Sequence, residues 1–194
     1  MIFIMKRNGF IKTNAYGTEN LPETGGYVMY ANHQGKYDTL GIIGAHKKPC
    51  TFVIDEKRSR LILANQFTTL LQASRLDKSS MESQFKTILE VISEVKKGRR
   101  YIVFPEGGYD HNHNHVCDFL PGAFKCAMNA KSPIVPVALI DSYKPFEINS
   151  IKPVTTQVHF LEPIYYEDYR GLTSKEVADL VKQRIVETIE AQCA

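Results

Sequence analysis

An α/β fold is what this sequence predicts. Short apolar runs of strand character alternate with segments of helical periodicity, and no internal repeat, linker or shift in composition divides the chain. With 194 residues it has the length of a single domain, 1–194, able to bury its own core without disulfide staples.

The strands come first. Residues 26–31, Gly-Tyr-Val-Met-Tyr-Ala, read as one, 51–54 as a second, and 100–104 as a third that Pro105 stops. The run 134–140 is a fourth, and Pro136 inside it suggests a sheet edge or a bulge. Residues 154–161 alternate and read as a late, half-buried strand. Two helices carry start signals. Ser79 with Glu82 forms a capping box, and Met81, Phe85, Ile88, Leu89, Ile92 and Val95 follow at helical spacing until Gly98. Thr173 with Glu176 forms another, ahead of Val177, Leu180, Val181, Ile185 and Ile189. Both stripes are expected to face the core. Pro121 is expected to open a shorter helix through Ala130.

Composition narrows function by exclusion. At 43% hydrophobic and 23% charged, the chain is neither disordered nor of low complexity. A formal net charge of +3 is too small to imply nucleic acid as a partner, though a local basic patch can still meet anionic lipid. Cys50, Cys117, Cys126 and Cys193 form no C-x-x-C pair and are expected to be free thiols. No apolar run reaches the roughly 20 residues of a membrane-spanning helix. Met1 to Met5 is apolar and Lys6 and Arg7 follow, so residues 1–10 are a membrane-interface segment, the remnant of a longer anchor, or a frayed terminus.

Chemistry concentrates in two motifs. Asn32-His33-Gln34-Gly35-Lys36-Tyr37-Asp38 follows directly on the first strand. On one continuous helix, residues five apart diverge by about 140° and His33 and Asp38 would not meet. With His33 at the strand end and Asp38 in the first helical turn, the bend between them brings the side chains together. A carboxylate on one imidazole nitrogen fixes the tautomer and leaves the other nitrogen free to take a proton, which is a general base with its orienter. The bland alternative is a capping aspartate beside an unrelated loop histidine. The second motif, Phe104-Pro105-Glu106-Gly107-Gly108, ends the third strand in a tight turn where glycines admit close backbone approach and a glutamate can hold hydroxyls.

Taken together, these motifs resemble those of the glycerolipid acyltransferases, the 1-acyl-sn-glycerol-3-phosphate acyltransferase family. That family carries N-H-x4-D, an F-P-E-G motif about 70 residues on, G-A-F, and then an apolar I-V-P-V strand. Here they are Asn32 to Asp38, Phe104 to Gly107, Gly122 to Phe124, and Ile134 to Val137, within roughly residues 15 to 142. The resemblance implies a mixed β-sheet flanked by helices with the cleft at the strand ends. It implies transfer of a fatty acyl group from a thioester of acyl carrier protein or coenzyme A to the hydroxyl of a lysophosphatidic acid-like acceptor. His33 would act as the base and Asp38 as its orienter. The attack would be direct, since no nucleophile elbow is present, with backbone amides as oxyanion donors. Neither metal nor organic cofactor is required. The implied setting is phospholipid synthesis by a cytoplasmic protein, peripheral on the inner face of the membrane. Another lysolipid acceptor, or a non-catalytic lipid-binding module of the same fold, are the alternatives.

The departures bear on the acceptor. Where the family continues F-P-E-G-T-R-S, this chain has Gly108, Tyr109 and Asp110; Leu120 replaces a frequent lysine, and Lys78 replaces the arginine of I-D-R. Lysine keeps the charge but not the bidentate fork of arginine. Alongside Glu106 and Gly107, the candidates for substrate contact are therefore Lys57, Arg58, Arg60, Arg75 and Lys78. His111, His113 and His115 alternate with asparagines and could share one face of an extended strand. Metal sites usually draw ligands from more than one element, so this tract is read as a polar loop near the acceptor pocket and no metal is expected.

Overall fold

The computed structural model describes residues 10–147 and 153–193. Seven strands form one sheet: β1 (Ile11–Tyr16), β2 (Val28–Ala31), β3 (Thr51–Asp55), β4 (Ser74–Leu76), β5 (Tyr101–Val103), β6 (Ile134–Ile140) and β7 (Val154–Phe160). Their order is β1-β7-β6-β2-β5-β3-β4. All neighbours run parallel except β6 and β7, so the sheet is mixed, as the resemblance implied. The longer helices are α1 (Asp38–Ala45), α2 (Ile62–Leu70), α3 (Met81–Lys96), α4 (Lys125–Ala130, entered through a 3-10 turn at Pro121–Phe124) and α5 (Ser174–Cys193).

The central strands β2, β5 and β6 are buried on both faces, so they read as unbroken apolar runs. One face, with Val28, Tyr30, Tyr101, Ile134 and Ala138, packs against α3, α4 and α5. The other, with Tyr27, Met29, Ile102, Val135 and Leu139, packs against Ile42 of α1. Buried tyrosines meet their polar demand locally: Tyr30 donates to the Ala123 carbonyl at 2.9 Å and Tyr169 to that of Ser132 at 2.7 Å.

Of three local expectations, the one for Pro136 holds in its second form, a bulge, and two need correction. Pro136 does not mark an edge, because β6 lies between β7 and β2. Its missing N–H coincides instead with a register change on the antiparallel side. Ile134 pairs with Ile164, Val137 pairs with Phe160, and Leu161 N donates to the Pro136 carbonyl at 3.0 Å, so the β7 side carries one residue more. The cap of α3 is Ser80, whose hydroxyl accepts from Ser83 N at 3.1 Å, while Ser79 turns to Asp77. The α3 stripe also splits. Ile88, Val91, Ile92 and Val95 pack on the core, but Met81, Phe85 and Leu89 are 85%, 63% and 50% exposed. Helix periodicity does not separate them, since Ile92 projects between Met81 and Phe85 around the axis and is buried; what differs is that, among the described residues, nothing packs over that side of the N-terminal turns of α3. The Thr173–Glu176 box and the Val177–Ile189 stripe of α5 form as expected. The segment 1–10 lies outside the described residues except for Phe10, and among the described residues no helix is long and apolar enough to cross a membrane.

Candidate active site

The β2 chain ends at Ala31 and the next residue anchors the bend. Asn32 is fully buried; its side chain donates to the Leu139 carbonyl at 3.0 Å and accepts from Leu139 N at 2.7 Å. Gln34, also fully buried, grips the same carbonyl at 2.8 Å and accepts from Ser142 N at 2.7 Å. Two amide side chains thus fix the bend to the end of β6. The chain then enters α1 with Asp38 as its first residue.

That bend brings the predicted pair together. His33 Nδ1 and Asp38 Oδ2 are 2.7 Å apart. The same oxygen accepts from the backbone N–H of Gln34 at 2.6 Å and of Gly35 at 3.0 Å, which fixes the carboxylate in place. Asp38 is fully buried, whereas the His33 side chain keeps 16% of its surface, so its second nitrogen can reach a ligand. The imidazole stacks on Phe104 at 4.2 Å and meets Tyr109 edge-on at 4.5 Å. Those contacts set the ring plane, a task the sequence did not assign to either aromatic.

The Phe104–Gly108 turn closes the other side. Glu106 Oε1 accepts from His33 N at 2.9 Å, so the two motifs meet through a backbone bond. Burial pushes the Glu106 carboxyl above its usual range, while that bond from His33 N opposes the rise. Gly107 has φ 73°, and a Cβ there would meet Leu120 Cδ1 at 2.9 Å. The conformation is what favours glycine, since Leu120 is 57% exposed and its side chain can turn aside. Asn112, from the histidine tract, donates to the His33 carbonyl at 3.2 Å and to the His115 carbonyl at 2.8 Å. Its alternation with histidines hid this bracing role.

The predicted cations separate. Lys78 donates to the Gly107 carbonyl at 2.5 Å and stands 3.7 Å from Asp55, so it braces the turn. Arg60 pairs with Glu56 at 2.6 Å, and Arg75 is held by Ser59 at 3.2 Å and Asn65 at 3.1 Å. Lys57 lines a pocket of about 210 Å³ with Asp55, Glu56, Leu76, Asp77, Lys78 and Ser79. Arg58 is exposed and its guanidinium lies over the Tyr109 ring at 5.0 Å. Among the described residues no carboxylate is paired with it. Tyr109 therefore links Arg58 to His33 through two ring contacts.

A buried aspartate that orients a partly open imidazole, at the carboxyl edge of a mostly parallel sheet, is a site fitted to take a proton from a bound hydroxyl. The chain belongs to the Acyltransferase family, whose model matches residues 12–140. It is 27% identical over 196 residues to the 1-acyl-sn-glycerol-3-phosphate acyltransferase of Saccharomyces cerevisiae, covering 96% of this chain and 63% of that protein. It is 28% identical over 174 residues to the alpha 1-acyl-sn-glycerol-3-phosphate acyltransferase of Mus musculus, covering 88% of this chain and 60% of that one. The chain thus spans about three fifths of the length of these relatives. With the Escherichia coli K12 1-acyl-sn-glycerol-3-phosphate acyltransferase it shares 27% identity over 168 residues, 84% of this chain and 68% of the relative. Its fold matches the crystal structure of the 1-acyl-sn-glycerophosphate acyltransferase PlsC from Thermotoga maritima. The TM-score is 0.80 at 21% identity, covering all of this chain and 80% of that one.

Proposed function

We propose that this chain transfers a fatty acyl group from a thioester of acyl carrier protein or coenzyme A to the free hydroxyl of a lysophosphatidic acid-like acceptor, in phospholipid synthesis. The observation that carries this reading is the 2.7 Å contact between His33 Nδ1 and Asp38 Oδ2, made at the turn that Glu106 ties to the same residue. With Nδ1 bound to Asp38, Nε2 of His33 accepts the hydroxyl proton as the oxygen attacks the thioester carbonyl. Asp38 stabilises the imidazolium that forms. Collapse of the tetrahedral intermediate breaks the C–S bond, and the proton passes from His33 to the departing thiolate. No residue is acylated, and neither metal nor organic cofactor takes part in these steps.

The acceptor phosphate needs a cation close to this base, because the hydroxyl and the phosphate ester sit on adjacent carbons. Arg58 is the candidate whose guanidinium lies no further from the His33 ring than two contacts end to end, and it has no carboxylate to give up. It would supply the planar fork that Tyr109 cannot. A membrane surface is the proposed working place, on the inner face of the cytoplasmic membrane. The exposed apolar side chains Leu61 (65%), Ile62 (82%) and Leu70 (78%) on and beside α2, with the solvent-facing residues of α3, support it.

The test is acyl transfer from one labelled donor to lysophosphatidic acid and to the matching monoacylglycerol, which has the hydroxyl but no phosphate. Lysophosphatidic acid should be preferred, and Arg58→Ala should raise its KM while leaving the monoacylglycerol rate unchanged. Turnover of another lysolipid instead would move the acceptor. Vesicle binding without acylation of any acceptor would make the chain a lipid-binding module.

A further inference from the structure

The histidine tract and the turn after β6 meet at one point. His113 Nε2 lies 3.1 Å from Glu147 Oε2, and His111 Nδ1 lies 3.5 Å from Glu147 Oε1. The ligand atoms of all three residues fall within 4.8 Å of one another. We propose that His111, His113 and Glu147 form a binding site for a divalent transition-metal ion of the zinc type, separate from the acyl-transfer chemistry.

Donor type, geometry and origin each support this. Two imidazoles and a carboxylate are a borderline nitrogen and oxygen set, suited to zinc-like ions rather than to calcium or magnesium. Around a tetrahedral ion with bonds of about 2.0–2.2 Å, neighbouring ligand atoms stand about 3.3–3.6 Å apart. The two histidine–glutamate separations lie close to that edge length but run to different oxygens of Glu147, so a set with one ligand atom per residue, now within 4.8 Å, draws together as the ion binds. His111 and His113 are 78% and 50% exposed, so the remaining adjustment is side-chain rotation at open positions, and solvent can supply further ligands. The expectation of no metal rested on the tract lying within one loop. Glu147 belongs to a second element, the helical turn Lys144–Glu147. The nearby cation does not compete for it, since Lys144 pairs with Asp141 at 2.6 Å. The His113 ring stacks on Tyr143 at 4.1 Å, which presents its edge nitrogen to Glu147.

A bound ion would join the loop after β5 to the turn after β6. Asn112 lies between the two histidines and donates to the His33 carbonyl. The ion therefore acts as a clasp on the loop that braces the catalytic bend, and it never touches the substrate.

The experiment is isothermal titration of tag-free, full-length protein with zinc chloride, paired with melting curves with and without zinc. One ion per chain should bind and the melting temperature should rise. His113→Ala and Glu147→Gln should lose both effects while melting near wild type without zinc, since both are surface side chains. His115→Ala and Cys193→Ser should keep both, because neither residue belongs to the cluster. Absence of binding up to millimolar zinc would overturn the site. So would undiminished binding by His113→Ala or Glu147→Gln, or loss of binding in Cys193→Ser. In those cases the three side chains form only a surface hydrogen-bonded pair and its neighbour.

Discussion

Glu106 accepts a hydrogen bond from the backbone N–H of His33 at 2.9 Å, joining two motifs that are 73 residues apart in the chain. The carboxylate thus holds the main chain of the base, while Asp38 holds its ring at 2.7 Å. Orientation of the imidazole is fixed from both sides before any substrate arrives, and rigid placement of this kind lets a single base contribute strongly.

His33→Ala should lower acyl transfer by about 10²–10⁴-fold, the range expected for a general base. Its melting temperature should stay near wild type, because the side chain is partly open and its backbone bond to Glu106 survives. Asp38→Asn should lose activity and melting temperature together. Its Oδ2 holds two backbone amides as well as the ring. Near-normal transfer by His33→Ala would remove the mechanism.

Glu106 provides a pH signature. Burial raises its folded-state carboxyl above the ordinary 4.5, so the neutral form is favoured in the folded protein. Its contribution to stability is fully present below the unfolded value and is lost as pH rises through the raised folded value. Glu106→Gln keeps an oxygen to accept from His33 N and removes the titration. The variant should therefore gain stability relative to wild type as pH climbs from about 4 towards neutrality. Melting curves across that range check it; a constant difference would show that the carboxyl does not titrate differently on folding.

His46 acts in the opposite sense. Burial lowers its folded-state value below 6.5, and its ring sits between Tyr27 Oη at 2.6 Å and the Lys48 carbonyl at 2.5 Å. Its contribution is present above 6.5 and is lost as pH falls from there through the depressed folded value. His46→Gln should be less stable than wild type at pH 7.5, with the gap narrowing on acidification. Melting temperatures at matched pH decide it.

The exposed apolar set should govern binding to lipid. Ile62→Ser combined with Phe85→Ser should weaken sedimentation with vesicles of anionic lipid while leaving the melting temperature unchanged, since the two side chains are 82% and 63% exposed. Equal sedimentation would place the contact elsewhere.

The sequence by itself determined the chemistry-bearing bend, the turn that faces it and the family. The reason is that these features are local. A strand end, a short bend and a helix start allow His33 and Asp38, five residues apart, to meet, and Gly107 supplies the φ of 73° at the facing turn. The buried strands β2, β5 and β6 were legible for a similar reason, as apolar runs bounded by turns. β1, whose Ile-Lys-Thr-Asn-Ala-Tyr is largely polar, and β4, only three residues long, were not, because they become strands only by pairing with β7 and β3. Tertiary structure alone decided which side of α3 is wet, since Met81, Phe85 and Leu89 are as apolar as the residues beneath them and differ only in what packs against them. It also decided that Arg58, rather than Arg60 or Arg75, remains unpaired beside the Tyr109 ring. Finally, it brought Glu147 to His113 across 34 residues of chain, a distance that periodicity and capping cannot span because they describe only neighbours.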